Sequence, residues 1–294
     1  MRNAFIDELV HLAEVHEQIA LVVGDLGYSV VEPFAERFPE RFLNAGVAEQ
    51  NMTGVAAGMA SEGFHVFTYS IANFPTFRCA EQVRNDVAYH RLPVTIVAVG
   101  GGLAYGSLGY SHHAVQDYGL IRGMPNMTIA APGDPLEVRG VMRHLVSQPG
   151  PSYLRLGKAG EPTFHADVPV ALPGRWLEVR RGDEQGEAIV TTGAALQYAV
   201  RRWQEATFPR PWVFSMPLWG MAAKSLQPEQ ASRFEVIRTM EDHLVDGGFG
   251  SWMLEALNAN RDFLGRIEVE ALDPVVCDTV GSQVMLDELG GLRP

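Results

Sequence analysis

The chain has little of what marks several large protein classes. Its 294 residues include only two cysteines, Cys79 and Cys277, far apart and outside any CxxC pattern. That argues against a disulfide framework and suits a reducing compartment. Lysine and arginine form no dense block and the net charge is −12, which argues against nucleic acid or an anionic membrane as the partner. No apolar run approaches the roughly 18 residues of a bilayer span. Met1 to Leu12 carries Asp7 and Glu8 where a signal peptide needs a basic start and an unbroken apolar core. There is no internal repeat, low-complexity segment, Walker loop or HExxH. The expectation is a cytoplasmic globular chain without a metal site of its own.

What is present is alternation. With 47% hydrophobic residues the chain can build two cores of ordinary size. Helical spacing over Phe5, Leu9, Leu12 and Ala13 precedes the strand-like Ile19–Val23 and a turn at Gly24-Asp25-Leu26-Gly27. Further strands are expected at Val66–Tyr69, Val94–Val99, Met127–Ala131 and Ser152–Leu156, with helices from Asn73 to Tyr89 and Asp134 to Val146. The run Val94–Val99 is apolar throughout, as in a parallel sheet covered on both faces. The reading is α/β, with two doubly wound, mostly parallel sheets. One domain covers 1–160, a Gly- and Pro-rich linker 161–186, and a second domain 187–294.

Two stretches stand out for chemistry. In Gly46-Val47-Ala48-Glu49-Gln50-Asn51 a single carboxylate opens a small, apolar helix. Glu49 reads either as an acid favoured by a helix N-terminus or as a partly buried carboxylate that needs a donor. The loop Gly100–His113 has five glycines in fourteen residues and ends in His112 and His113. It follows a buried strand, where open α/β sheets bind ligands, and is either mobile or shaped for close backbone approach. The two imidazoles are either surface groups or proton carriers near neutral pH. Phe74 and Phe77 have core spacing, yet Asn73 and Pro75 flank Phe74 at a strand's end, where a flat ligand could stack.

In order and spacing, Gly46–Asn51, Tyr69-Ser70, Phe74, Gly109-Tyr110-Ser111-His112-His113 and Pro125-Asn126-Met127 resemble the pyrimidine-binding domain of transketolase and 1-deoxyxylulose-5-phosphate synthase. Ser215-Met216-Pro217, Glu241-Asp242-His243 and Gly247–Ser251 resemble the C-terminal domain of those enzymes. The resemblance implies a thiamine-diphosphate enzyme. Glu49 would hydrogen-bond the cofactor's pyrimidine, Phe74 would stack on it with Phe77 nearby, and Asp25 would lie close to it. His112 would face the substrate beside His113. Arg78 and Arg155 would bind a substrate phosphate or carboxylate; interdomain or surface ion pairs are the other reading of both.

The family's Gly-Asp-Gly motif with its downstream Asn, which holds Mg²⁺ and the diphosphate, is absent. The resemblance therefore implies the C-terminal subunit of a split enzyme, paired with an N-terminal transketolase-like subunit as an α2β2 heterotetramer acting on a small sugar or keto substrate. Ketol transfer is the expected reaction. Decarboxylative condensation of a 2-oxo acid, as in the synthase or an oxo-acid dehydrogenase β subunit, and a non-catalytic scaffold are the alternatives. Leu108 stands where transketolase loops carry an acid that contacts a donor hydroxyl, and Gly100 replaces a histidine used on sugar phosphate.

Overall fold

The computed structural model describes residues 1–184, 186–259 and 263–292, so residue 185 of the expected linker lies outside them. The strands are β1 (Ile19–Val23), β2 (Phe42–Asn44), β3 (His65–Ile71), β4 (Val94–Val99), β5 (Thr128–Ala130) and β6 (Ser152–Leu156), then β7 (Leu177–Arg180), β8 (Glu187–Thr191), β9 (Trp212–Ser215), β10 (Leu218–Trp219), β11 (Val236–Leu244) and β12 (Arg266–Leu272). They form a seven-stranded sheet ordered β10-β5-β6-β4-β3-β1-β2 and a five-stranded sheet ordered β12-β11-β8-β9-β7. Pairing is parallel except for β10 on β5 and β7 on β9. The expected α/β architecture of two mostly parallel sheets is present.

The apolar runs follow from burial on both faces. Every residue of β1 and β4 is buried, and successive side chains point to opposite faces. Ala20, Val22, Ile96 and Ala98 join Met52 and Ala56 of the helix Glu49–Ser61 on one side. Leu21, Val23, Val97 and Val99 join Phe5 and Leu9 of the helix Arg2–Val15 and Val138 of the helix Pro135–Ser147 on the other. Burying each large side chain contributes about 1.5–3 kcal/mol before ordering costs. The helix ends are specified locally too: Asp134 accepts from the Glu137 backbone N–H at 2.7 Å and Pro135 follows it, a preorganised N-terminus.

Two features differ from the sequence reading. The helix expected over Asn73–Tyr89 is segmented into Asn73–Phe77, Ala80–Gln82 and a wider turn Val83–Ala88, in which the Tyr89 N–H donates to the Arg84 carbonyl five residues back. Cys79, at φ −105° and ψ 11°, marks the break, and Phe77 and Arg78 just before it are exposed. The other feature is β10. After Pro217 the chain leaves the second sheet and pairs Leu218 with Ala130 and Trp219 with Ile129, adding an edge strand to the first. Trp219 is buried and meets Tyr118, Phe249 and Trp252 edge-on at centroid distances of 5.2, 5.4 and 5.4 Å. One hydrophobic cluster thereby runs across both sheets.

Candidate active site

The candidate site lies at the carboxyl ends of β1, β3 and β4, where the chain turns away from the sheet. Gly24 follows β1, and a Cβ there would meet Glu49 Cγ and Ser70 Oγ at 3.5 Å each, so these three residues are neighbours. Glu49 is the first residue of its helix and only 4% exposed, although no side chain caps the helix. Its carboxylate is held by Arg78, whose Nη1 donates to Oε1 at 3.2 Å and Oε2 at 3.1 Å. The Arg78 side chain is half exposed, at 50%. Its guanidinium also lies over the Phe74 ring, 4.1 Å from the centroid.

The glycine-rich loop is shaped by close packing. Gly100 and Gly102 have φ of +81° and +64°, a region that costs other residues free energy. A Cβ on Gly100 would fall 2.0 Å from the Tyr105 ring, one on Gly101 would fall 2.5 Å from Arg155 Nε, and one on Gly102 would fall 2.3 Å from Asp242 Oδ2. Gly102 and Ala114 exchange backbone hydrogen bonds at 2.9 Å, closing the loop at its base. Asn73 Nδ2 donates to the carbonyls of Ser111 at 3.0 Å and His113 at 3.1 Å, the residues on either side of His112. Sequence reasoning missed this role of Asn73.

The loop brings His112 to Phe74, edge-on at 5.3 Å, with Tyr105 at 6.4 Å. Ser111 Oγ lies 3.0 Å from His112 Nδ1, leaving Nε2 for another partner. Burial, with smaller contributions from His113 and Arg78, holds the His112 imidazole below its ordinary value. His113 points inward: it is buried, and its Nε2 lies 3.1 Å from the Gly106 carbonyl. Asp25 has φ +54°, and its Oδ1 accepts from Tyr28 Oη at 3.1 Å and Asn44 Nδ2 at 3.0 Å. Leu108 and Tyr110 are exposed, and Tyr110 Oη donates to Gln116 Oε1 at 2.9 Å.

Arg155 does not join this group. It sits mid-strand in β6 with 3% of its side chain exposed. Nε donates to Asp117 Oδ2 at 2.8 Å and Nη1 to Asp242 Oδ1 at 2.7 Å, while Nη2 donates to the carbonyls of Ala114 and Asp242 at 2.7 and 3.1 Å. Arg155, expected to bind a substrate anion or to form an ion pair, has its donors directed within the chain, to the carboxylates of Asp117 and Asp242. The signal was in the sequence, since an arginine between Leu154 and Leu156 in a strand covered on both faces requires buried carboxylates.

Two hollows open onto the site. One, of about 470 Å³, is lined by Val47, Ala48, Glu49, Gln50, Asn51 and Arg78. The other, of about 320 Å³, has Phe74, Phe77, Tyr110 and His113 among its walls and Arg78 between them. Among the described residues no group of three or more His, Cys, Asp or Glu side chains is placed to hold a metal ion, and no helix is long and apolar enough to cross a membrane.

Residues 1–160 match the family model described as the transketolase pyrimidine binding domain. A putative transketolase C-terminal section from Methanocaldococcus jannaschii is 33% identical over 267 residues, covering 88% of this chain and 82% of that one. One of the subunits of apulose-4-phosphate transketolase from Phocaeicola vulgatus is 32% identical over 268 residues, covering 88% and 84% respectively. Among solved structures, a split gene transketolase described as an inactive beta4 tetramer has a TM-score of 0.85 at 31% identity, covering 99% of this chain and 93% of that one. The chain belongs to the transketolase family and carries its pyrimidine-binding domain in residues 1–160.

Proposed function

We propose that the chain is one subunit of a thiamine-diphosphate-dependent enzyme that transfers a two-carbon ketol unit from a ketose to an aldehyde. The observation that carries this reading is the Glu49 carboxylate, buried at a helix start beside an aromatic ring and reached by a planar N–H donor. An aminopyrimidine asks for the same two things: a carboxylate at a ring nitrogen and an aromatic face to stack on. The side chains present fit it, because the Arg78 guanidinium already makes both kinds of contact from within the chain. When bound, the cofactor supplies a nucleophilic carbon and an electron sink.

The chain's own work is then orientation and proton handling. Glu49 would hold the pyrimidine nitrogen through a hydrogen bond to its carboxylate. Phe74 and Phe77, both walls of the second hollow, would flank the ring, and Asp25 would lie at its edge. His112, whose imidazole burial holds below its ordinary value, offers Nε2 to a substrate hydroxyl or carbonyl, taking or returning a proton there. His113 fixes the loop from inside. Arg78, with its exposed guanidinium, is the cation available for an anionic substrate group. Leu108 leaves the loop without an acid for a donor hydroxyl, which favours a donor with fewer hydroxyls or with its charge elsewhere.

Mg²⁺ and the diphosphate fall to a second, N-terminal transketolase-like chain in this reading, in a cytoplasmic α2β2 assembly. The description of a 31% identical relative as an inactive beta4 tetramer supports the need for a second chain. The test is reconstitution of the chain with such a partner, thiamine diphosphate and Mg²⁺. Ketose-dependent ketol transfer that appears only with both chains supports the proposal. Carbon dioxide release from pyruvate without ketose turnover would replace ketol transfer with decarboxylative condensation, and full activity of Glu49→Gln would overturn the assigned role of the carboxylate.

A further inference from the structure

We propose that Arg78 competes with the cofactor's pyrimidine for Glu49 and Phe74, so that the ring enters only as this arginine leaves. The inference rests on the reading of the site as a thiamine-diphosphate half-site. Its basis is that Arg78 is the residue common to both hollows. Glu49 lines one of them and Phe74 the other, while Arg78 lines both and stands between. A ring that touches the carboxylate and stacks on the phenyl face must bridge the two, and the guanidinium is in the way.

The contacts are of the kind a ring would replace. Nη1 reaches both oxygens of Glu49, at 3.2 and 3.1 Å, and the guanidinium carbon lies 4.1 Å above the Phe74 centroid. A guanidinium is flat, delocalised and edged with N–H donors, which makes it a chemical likeness of a protonated aminopyrimidine. It is also easily moved. Its side chain is 50% exposed, its carboxylate contact uses one terminal nitrogen, and the second hollow offers room beside Asn73, Tyr110 and Gln116. Arg78 thereby gives the Glu49 carboxylate a partner until another donor arrives. Loss of that contact subtracts from the free energy of cofactor binding and returns Arg78 to the substrate side.

Equilibrium binding of thiamine diphosphate with Mg²⁺ to the reconstituted pair, measured by titration calorimetry, tests this without reference to turnover. Arg78→Ala is expected to bind about three- to tenfold tighter than wild type, the gain of removing one half-exposed ion pair and one cation–π contact. Arg78→Lys keeps the charge but loses the flat stack, and is expected to fall between the two. A crystal structure of the loaded pair is expected to show the Arg78 guanidinium off the Phe74 ring and away from Glu49. Equal or weaker binding by Arg78→Ala with unchanged unfolding behaviour, or a loaded structure in which Arg78 still holds Glu49, would overturn the proposal. Absence of thiamine diphosphate binding by the wild-type pair would instead defeat the functional reading on which it rests.

Discussion

Two arginine–carboxylate arrangements in this molecule use the same chemistry to opposite ends. Arg155 is enclosed between the two sheets, and its Nε and both Nη atoms donate to Asp117, Asp242, the Tyr118 hydroxyl and two carbonyls. Arg78 touches Glu49 with one nitrogen and shows half its side chain to solvent. An ion pair whose donors are all engaged in a dry interior acts as a fixed joint, because removing a partner strands a charge. A half-exposed pair with donors to spare is worth little to folding and can be exchanged. Burial and donor count, rather than charge, separate the enclosed arginine from the half-exposed one.

The strongest attack on this contrast is Arg155→Ala, which leaves Asp117 and Asp242 without their shared partner. It is expected to cost about 3–5 kcal/mol in urea unfolding, whereas Arg78→Ala changes stability by less than about 1 kcal/mol. Similar costs for the two would erase the distinction. Glu49→Gln keeps the shape of the site and removes its charge; in the reconstituted pair, turnover is expected to fall about a hundredfold or more while the unfolding midpoint stays close to wild type.

A pH series sharpens the interior half of the contrast. Burial pushes Glu241, the neighbour of Asp242, up to about 8, outweighing hydrogen bonds from the Phe249 and Gly250 backbone. Its folded value lies above its unfolded value, so the stability it contributes is full below the unfolded value and is lost as pH rises through the folded one. Between about pH 6.5 and 8 this amounts to about 2 kcal/mol. His243, which burial holds down at about 4, is neutral in the folded state over that window, while its unfolded imidazole is still partly protonated near pH 6.5, so it opposes the decline by only about 0.4 kcal/mol. Glu241→Gln is expected to flatten this decline; a decline that persists would mean that other groups set it. The smallest effect on folding belongs to the open region: Leu108→Ser is expected to shift stability by about 0.5 kcal/mol or less while changing KM for the ketose more than kcat.

Much of the fold was legible because strands covered on both faces leave continuous apolar runs, as in Ile19–Val23 and Val94–Val99. The short pieces were not. β10 is two residues long, too short for any periodicity, and its place is decided by the long-range pairing of Leu218 and Trp219 with β5. The segmentation after Phe77 is equally silent, since Ala80–Gln82 and Val83–Ala88 have the composition of an ordinary helix. Glu49, Phe74 and His112 could be singled out because each is unusual in its local setting, and the structure brings the three to the carboxyl end of the sheet. Arg78 and Arg155 look alike in one dimension. Only the packing around them reveals which is enclosed, although the apolar neighbours of Arg155 already carried a hint.

The crossing of β10 bears on how this chain can be cut. A fragment ending near residue 160 would keep every residue of the pyrimidine-binding match, yet it would lose the strand that covers the edge of β5 and the Asp242 carboxylate that faces Arg155. Such a fragment would present an unpaired backbone edge above an interior arginine left with one of its two carboxylates, Asp117. The boundary visible in sequence comparison is thus not a line of mechanical independence, and engineering that grafts or swaps this domain needs to carry the Leu218–Trp219 strand and its tryptophan with it.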